Sequence, residues 1–334
     1  MKAIGYNASL PISDAESLLD LDIPAPVPGP RDLLVRVKAI SVNPVDVKVR
    51  ASRQPKPGVP EVLGYDAAGV VEAVGAEVTL FQPGDEVFYA GVINRPGTNA
   101  ELHAVDERIV GRKPKTLSFA EAAALPLTAI TAWELLFDRL KVAKGQQGGS
   151  LLVINGAGGV GSILIQIARQ LTGLKVIATA SRPETVAWVE KMGAHLVVDH
   201  RKPLNEALRA AGVEQVDYVA SLTATDKHLP AIVDIIAPQG SMALIDDPMS
   251  LDIVALKRKA VTVAWELMFT RPLFNTPDMI EQHRLLNEVA GLVEAGTLKT
   301  TLTRVVGPID AAHLREAHAA LESGSTIGKL VLGG

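Results

Sequence analysis

The stretch that most restricts the fold runs from Leu151 to Leu171. Leu151-Leu152-Val153-Ile154-Asn155 leads directly into Gly156-Ala157-Gly158-Gly159-Val160-Gly161, and Val160, Ile163, Leu164, Ile167, Ala168 and Leu171 then recur at three- and four-residue intervals. A short apolar run, a G-x-G-x-x-G turn and an amphipathic helix make the strand–turn–helix unit of a dinucleotide-binding fold. Gly156 is expected to allow the tight turn, Gly158 to let the backbone approach a pyrophosphate, and Gly161 to let the helix lie close to the sheet. The turn and the start of the helix, with Ala157, Gly159 and Val160, would present free N–H groups and the positive end of the helix dipole to the phosphates. The alternative is a tight strand-to-helix turn that holds no ligand.

The choice of dinucleotide is made about 20 residues further on, where an acidic side chain would accept hydrogen bonds from the adenosine ribose. Ala178-Thr179-Ala180-Ser181-Arg182 contains no acid. Ser181 can donate to a 2′-phosphate and Arg182 can pair with it, so NADPH is the expected cofactor. His200 and Arg201, after the next strand, are candidates to complete a basic pocket. The competing reading of Arg182 is a solvated charge beside Glu184, and His200 and Arg201 admit the same bland account.

Around this unit the chain has two grammars. Before Pro126 it reads as short β segments: Val35, Val37 and Ala39 alternate with Arg36, Lys38 and Ile40, Gly69–Val74 is β-branched, and Pro and Gly crowd the connections. Ser118-Phe119-Ala120-Glu121 has the spacing of a capping box and opens an alanine-rich helix that Pro126 interrupts. Beyond it, strand candidates at 151–154, 175–179, 196–198, 216–220, 243–245 and 261–264 alternate with helical patterns, which implies a parallel sheet covered by helices. Helices at 281–295 and 311–322 and a strand at 330–332 follow. The expected architecture is α/β: a β domain over 1–126 with 269–334, and a doubly wound parallel sheet over 127–268.

Composition removes several function classes. The 334 residues include no cysteine, which excludes disulfides, thiolate nucleophiles, iron–sulfur clusters and thiolate zinc sites. Lys and Arg number 33 against 37 Asp and Glu, so nothing draws the chain globally to nucleic acid or anionic lipid. No stretch approaches the ~18 apolar residues of a membrane span, and a cytoplasmic protein is expected. No tyrosine has a lysine four residues later, as a short-chain dehydrogenase requires; Gly-x-Ser-x-Gly is absent; and His313 and His318 are too far apart for a zincin pair, reading instead as two solvated histidines.

Further motifs extend over nearly the whole chain: Ser41-Val42-Asn43-Pro44-Val45-Asp46, Leu63-Gly64-Tyr65-Asp66-Ala67-Ala68-Gly69, Pro83-Gly84-Asp85-Glu86-Val87, Leu125-Pro126-Leu127-Thr128-Ala129 and Gly328-Lys329-Leu330-Val331-Leu332. With the glycine turn, they resemble the medium-chain dehydrogenase/reductase superfamily, and within it the zinc-free quinone oxidoreductases and their zinc-type alcohol dehydrogenase-like relatives. The resemblance implies a GroES-like domain followed by a Rossmann domain, with the active site in the cleft between them. Zinc members place a cysteine in the first motif and a histidine after the position of Gly64; this chain has Asn43 and Tyr65 there, so no metal is expected. The resemblance implies hydride transfer from NADPH to a quinone or an α,β-unsaturated carbonyl. Asn43 would donate its amide to the substrate carbonyl, Thr128 would touch the nicotinamide ribose or carboxamide, and Ser221, Thr223, Ile245 and Asp246 would lie at the ligand edge of the sheet. Tyr65 is a candidate proton donor to the product oxyanion, with packing in a vacated metal site as its alternative. The segment Trp265–Phe274 is a candidate pocket wall or subunit contact. A homodimer paired through the edge strand near Val261–Leu267 is implied, with no nucleic-acid or membrane partner. The rival to an enzyme is a non-catalytic NADPH-binding redox sensor or structural protein.

Overall fold

The alternating apolar runs of the second half become a six-stranded, wholly parallel sheet. In a computed structural model, which describes residues 1–333, its strands lie in the order Leu196–Val198, Gly173–Thr179, Gln147–Ile154, Val216–Ser221, Ile236–Leu244, Thr262–Trp265. The order steps outward from Gln147–Ile154 in both directions, so the point where it reverses falls beside the glycine turn, where open α/β sheets bind ligands. Leu152, Ile154, Ile177, Val219 and Leu244 fill the core of this unit together with Leu229 and Ile232 of the helix Thr225–Ile235. Both faces of the sheet are covered, which is why its strands read as apolar runs instead of alternating. The strand at Ile236 begins earlier than the apolar run at 243–245 indicated. Gln239 takes a left-handed backbone and the register jumps between Ile236 and Ser241, so Pro238 and Gly240 sit in an irregular stretch that hides the strand.

The other unit comprises Met1–Ile130 and the stretch from Phe269 onward, against Thr131–Met268 for the parallel-sheet unit. Its main sheet runs Leu302–Gly307, Lys329–Gly333, Asp32–Ser41, Ala67–Val74, Glu86–Tyr89, Val110–Arg112, with Leu102–Asp106 also paired to Asp32–Ser41. Leu33, Val35, Val37 and Ala39 are buried, as the alternation predicts, and Ile40 is buried as well, where the antiparallel C-terminal strand pairs Leu332 with it. The C-terminal strand thereby joins the sheet built on Asp32–Ser41, about 290 residues earlier in the chain.

The capping box forms as expected: Ser118 Oγ accepts from the Glu121 amide at 3.2 Å and Glu121 Oε2 accepts from the Ser118 amide at 2.9 Å. Pro126 starts a second helix, Pro126–Trp133, which passes into a π-helical turn over Glu134–Arg139. The helical run Phe119–Arg139 is long and apolar enough to cross a membrane by composition, a stretch the sequence reading passed over. Since 89% of its apolar window is buried within the protein, it is a core helix. One histidine expectation also fails. His318 is fully buried, and burial pushes its imidazole down to about 3, so it is a neutral core residue, while His313 stays half-exposed against Asp310.

Candidate functional site

The glycine turn is shaped by three separate constraints. The left-handed backbone that turns the strand belongs to Asn155 (φ 65°), not to Gly156 as expected. Gly156 is needed for another reason: a Cβ there would lie 2.9 Å from the Cβ of Ala178 on the adjacent strand. At Gly161 a Cβ would lie 2.5 Å from the Asn155 carbonyl oxygen and 2.6 Å from that of Gly156, so the helix Gly159–Leu171 lies against the turn only because this position has no side chain. Gly158 is the N-cap, and a Cβ there would meet only Asn155. Ala157 is buried while Gly158, Gly159 and Val160 are half-exposed. Backbone amides of the first helical turn have no intrahelical acceptor, so this partly open end can receive phosphate oxygens. Below them Ser162 Oγ donates to the Gly158 carbonyl at 2.7 Å and accepts from the Trp188 indole at 2.8 Å, which fixes the turn from behind.

At the second and third strand ends the predicted basic residues are engaged with acids. Arg182 caps the helix Pro183–Met192 and its guanidinium lies 3.1 Å from Glu184, the pairing that the bland reading named. Arg201 is bound to Asp199 through two nitrogens, at 2.7 Å in the closer contact, and holds that carboxyl down at about 2. His200 Nδ1 lies 3.2 Å from Thr179 Oγ1, and partial burial lowers its pKa, so the ring adds no fixed positive charge. Ser181 lines a cavity of about 390 Å³ together with Asp199, Val198 and Glu190. Asp199 is thus an acid at this site that the sequence reading overlooked. Its signal was present, in the Val-Val-Asp-His ending of the third strand.

The next two strand ends close on themselves. Ser221 is buried, with its hydroxyl 2.7 Å from Thr225 Oγ1, and Thr225 in turn donates its amide to Asp246 Oδ2 at 2.8 Å. Ser221 and Asp246 therefore act inside the fold, tying the Val216–Ser221 strand end to the start of the next helix. Thr223 is exposed and Ile245 half-buried, with the Ile245 amide donating to the Ser221 carbonyl. Thr225 was not foreseen.

In the first unit, Asn43, Asp46, Asp66 and Lys329 are joined by a buried polar network, with Tyr65 next to Asp66 in sequence. Asn43 Nδ2 donates to Asp66 Oδ2 at 2.8 Å, and its amide nitrogen donates to Asp46 Oδ2 at 2.7 Å. The Lys329 ammonium sits among three oxygens, donating to Asp66 Oδ2 at 2.9 Å, the Val42 carbonyl at 3.0 Å and Asn43 Oδ1. The other oxygen of Asp66 accepts from the Leu127 amide at 2.8 Å, which ties the start of the Pro126 helix to this carboxylate. This corrects the expectation for Asn43. Its Oδ1 accepts from Lys329, and Nδ2 donates to Asp66 and, at a longer 3.4 Å, to the Ser41 carbonyl, so the side chain is engaged inside the protein and positions neighbouring groups. Thr128 is likewise buried, and its hydroxyl donates to the Leu125 carbonyl at 3.1 Å. Burial raises the Asp46 carboxyl to about 7 and raises Asp66 as well, against the pull of Lys329 and the amides.

Tyr65 differs from these neighbours. It is 1% exposed and packs edge-on against Phe269, with ring centroids 5.3 Å apart, yet its hydroxyl makes no hydrogen bond to any described residue. Burial, and next the Asp46 charge, push its pKa up, so the phenol stays protonated. Within the expected wall segment, Phe269 is core and Arg271 is buried against Asp278, whereas Trp265, Leu267 and Phe274 are at least half exposed.

The geometry can now be set beside known proteins. The family model for the alcohol dehydrogenase GroES-like domain matches residues 29–130, and that for zinc-binding dehydrogenase matches residues 192–332. A zinc-type alcohol dehydrogenase-like protein of Staphylococcus epidermidis is 43% identical over 99% of both chains. A quinone oxidoreductase of Pseudomonas aeruginosa is 30% identical over 91% of this chain and 92% of its own. Among solved structures, a Rhizobium etli protein assigned provisionally to the zinc-dependent alcohol dehydrogenases superposes with a TM-score of 0.96 at 61% identity, covering 100% of this chain and 98% of its own. The zinc in these family names finds no matching donors here. The chain has no cysteine, no group of three His, Asp or Glu side chains among the described residues can hold a metal, and an ammonium occupies the oxygen cage beside Asn43. No step is derived through a metal. A parallel sheet with an unobstructed glycine turn, a GroES-like partner unit and relatives matching end to end place the chain in the medium-chain dehydrogenase/reductase superfamily, an oxidoreductase family.

Proposed function

We propose that the chain is an NADPH-dependent reductase of quinones or α,β-unsaturated carbonyls that works without a metal. The observation that carries this reading is the contrast at the two positions where zinc members keep ligands: Asn43 is locked to Asp66 and Lys329, while Tyr65 keeps a buried hydroxyl with no hydrogen-bond partner among the described residues. The quinone oxidoreductase relative supports the substrate class, as does a tomato 2-methylene-furan-3-one reductase that is 42% identical over 181 residues, half of this chain.

The amides at Gly159–Gly161 bind the pyrophosphate, and the gap left by Gly161 keeps them in place. For the 2′-phosphate, Ser181 donates and Arg182 turns from Glu184 to the ligand, an exchange of one anionic partner for another. A bound nicotinamide supplies the hydride. This chain then has to meet the negative charge that develops on the acceptor oxygen, and the Tyr65 hydroxyl, kept neutral by burial, donates to it. A raised pKa suits a donor that must not ionise beforehand. Self-association runs through the strand Thr262–Trp265, which pairs on one side only and carries the exposed Trp265 with Leu267 beyond it.

The test is NADPH consumption, followed by absorbance, against a para-quinone, a linear enone and a simple aldehyde, with and without chelator. Turnover of the quinone or enone that ignores the chelator is the expected result. Tight NADPH binding with no turnover of any acceptor would instead favour a nucleotide-binding sensor.

A further inference from the structure

Midway along the helix Pro183–Met192, the Trp188 indole donates to Ser162 Oγ at 2.8 Å. An indole N–H only donates and a serine hydroxyl carries one hydrogen, so this bond turns the Ser162 hydrogen away from the indole and toward the Gly158 carbonyl, 2.7 Å away. The next residue meets the turn itself: a Cβ at Gly156 would lie 3.2 Å from a Val189 methyl. Four residues along both helices, Gln166 Nε2 lies 3.4 Å from the Met192 sulfur and forms a second rung.

The start of the same helix carries Arg182. Its amide donates to Thr185 Oγ1 at 3.0 Å, and that hydroxyl donates back to the Arg182 carbonyl at 2.8 Å, so the Arg182 backbone moves with the helix. One helix therefore joins two places that the proposed cofactor needs at once: the turn for its pyrophosphate, and Ser181 with Arg182 for its 2′-phosphate.

A ligand held at two points binds best when those points already have the right separation, since loosening either one adds an ordering cost on binding. NADH has no 2′-phosphate and uses only the turn at this end. The turn also keeps a bond independent of the indole, because the Ser162 amide donates to the Gly158 carbonyl at 2.9 Å. We propose that Trp188 is a positioning residue for the choice between NADPH and NADH: bonded to Ser162, it holds Ser181 and Arg182 at a fixed reach from the glycine turn without touching the nucleotide. This rests on the NADPH reading given above. A Trp188 that served only to pack the two helices would weaken both nucleotides alike.

The indole is half-exposed, with the Lys191 ammonium 5.5 Å from its ring centroid, so phenylalanine keeps an aromatic ring there and removes the N–H donor. The experiment measures NADPH and NADH dissociation constants by calorimetric titration for wild type, Trp188→Phe, Ser162→Ala, Arg182→Ala and the double variant Trp188→Phe/Arg182→Ala. Loss of one neutral hydrogen bond should raise the NADPH constant about three- to fivefold in Trp188→Phe and change the NADH constant less than about 1.5-fold. Ser162→Ala should reproduce that ratio, and it decides if Trp188→Phe does not fold. In the Arg182→Ala background the effect of Trp188→Phe on NADPH should shrink below about 1.5-fold, because the residue through which it acts is gone. Isotope-labelled tryptophan supplies a spectroscopic check: of the three indole N–H signals, the one missing from Trp188→Phe should shift in Ser162→Ala.

Equal weakening of both nucleotides, no weakening, full additivity with Arg182→Ala, or a Trp188 signal that ignores Ser162→Ala each overturns the proposal and leaves the cofactor reading intact. Wild type that binds NADPH no more tightly than NADH overturns the cofactor reading, and the proposal with it.

Discussion

The glycine turn of the parallel-sheet unit and the Asn43–Asp66–Lys329 network of the first unit are both polar, and they are built in opposite ways. The turn is made of backbone, and the helix that follows starts with amides that have no intrahelical acceptor, an end that can receive an anion. The network is made largely of side chains that bond one another inside the protein, with Asn43 and Lys329 both donating to Asp66 Oδ2 at 2.8 and 2.9 Å, although Asp46 Oδ1 has no partner among the described residues. A binding site keeps unsatisfied groups at an accessible place, whereas a structural network uses its groups up. Tyr65 belongs by position to the second region and by its unpartnered hydroxyl to the first, which is why it carries the catalytic proposal.

The hardest test of this contrast is to open the satisfied network. Lys329→Met leaves Asp66 as a fully buried carboxylate without its cation and should cost about 3–5 kcal/mol of stability, read by denaturant unfolding. A loss under about 1 kcal/mol would mean that the network is not a buried ion pair in solution. Gly161→Ala attacks the open region instead. Its methyl meets two carbonyl oxygens, so about 1–3 kcal/mol should be lost, with nucleotide binding lost in a calorimetric titration. Retained binding would show that the turn tolerates a shift.

Tyr65→Phe sharpens the boundary case. The ring contact with Phe269 remains, so the melting temperature should barely move while kcat falls about 10- to 100-fold. Unchanged turnover would return Tyr65 to packing alone. The smallest effect is expected from Arg182→Ala, which should weaken NADPH by about 1 kcal/mol because the guanidinium must first leave Glu184. NADH binding should not change, and equal weakening of both would end the 2′-phosphate assignment.

Much of the fold was legible because it is written in local periodicity. The stripe from Val160 to Leu171 and the apolar runs around it specify helix and parallel strand whatever surrounds them, and the spacing of Ser118 and Glu121 specifies a cap. The β-bulged strand at Ile236 was not legible, since Pro238 and Gly240 erase the pattern where the chain bends. Within the site, the sequence showed that positions 43 and 65 carry neither cysteine nor histidine. The roles of those residues were not readable. Asn43 looks the same in sequence whether its amide faces a substrate or Asp66, and Arg182 looks the same whether it awaits a phosphate or pairs with Glu184.

Sequence alone therefore determined the order of elements, the glycine turn and the family, because each depends on residues close together in the chain or on motifs of fixed spacing. Only the tertiary structure decided which polar groups remain available. Hydrogen-bond satisfaction depends on partners brought from far along the chain, Lys329 to Asn43 and Asp66, Leu127 to Asp66, Arg139 to Glu266, and no local pattern encodes such pairings.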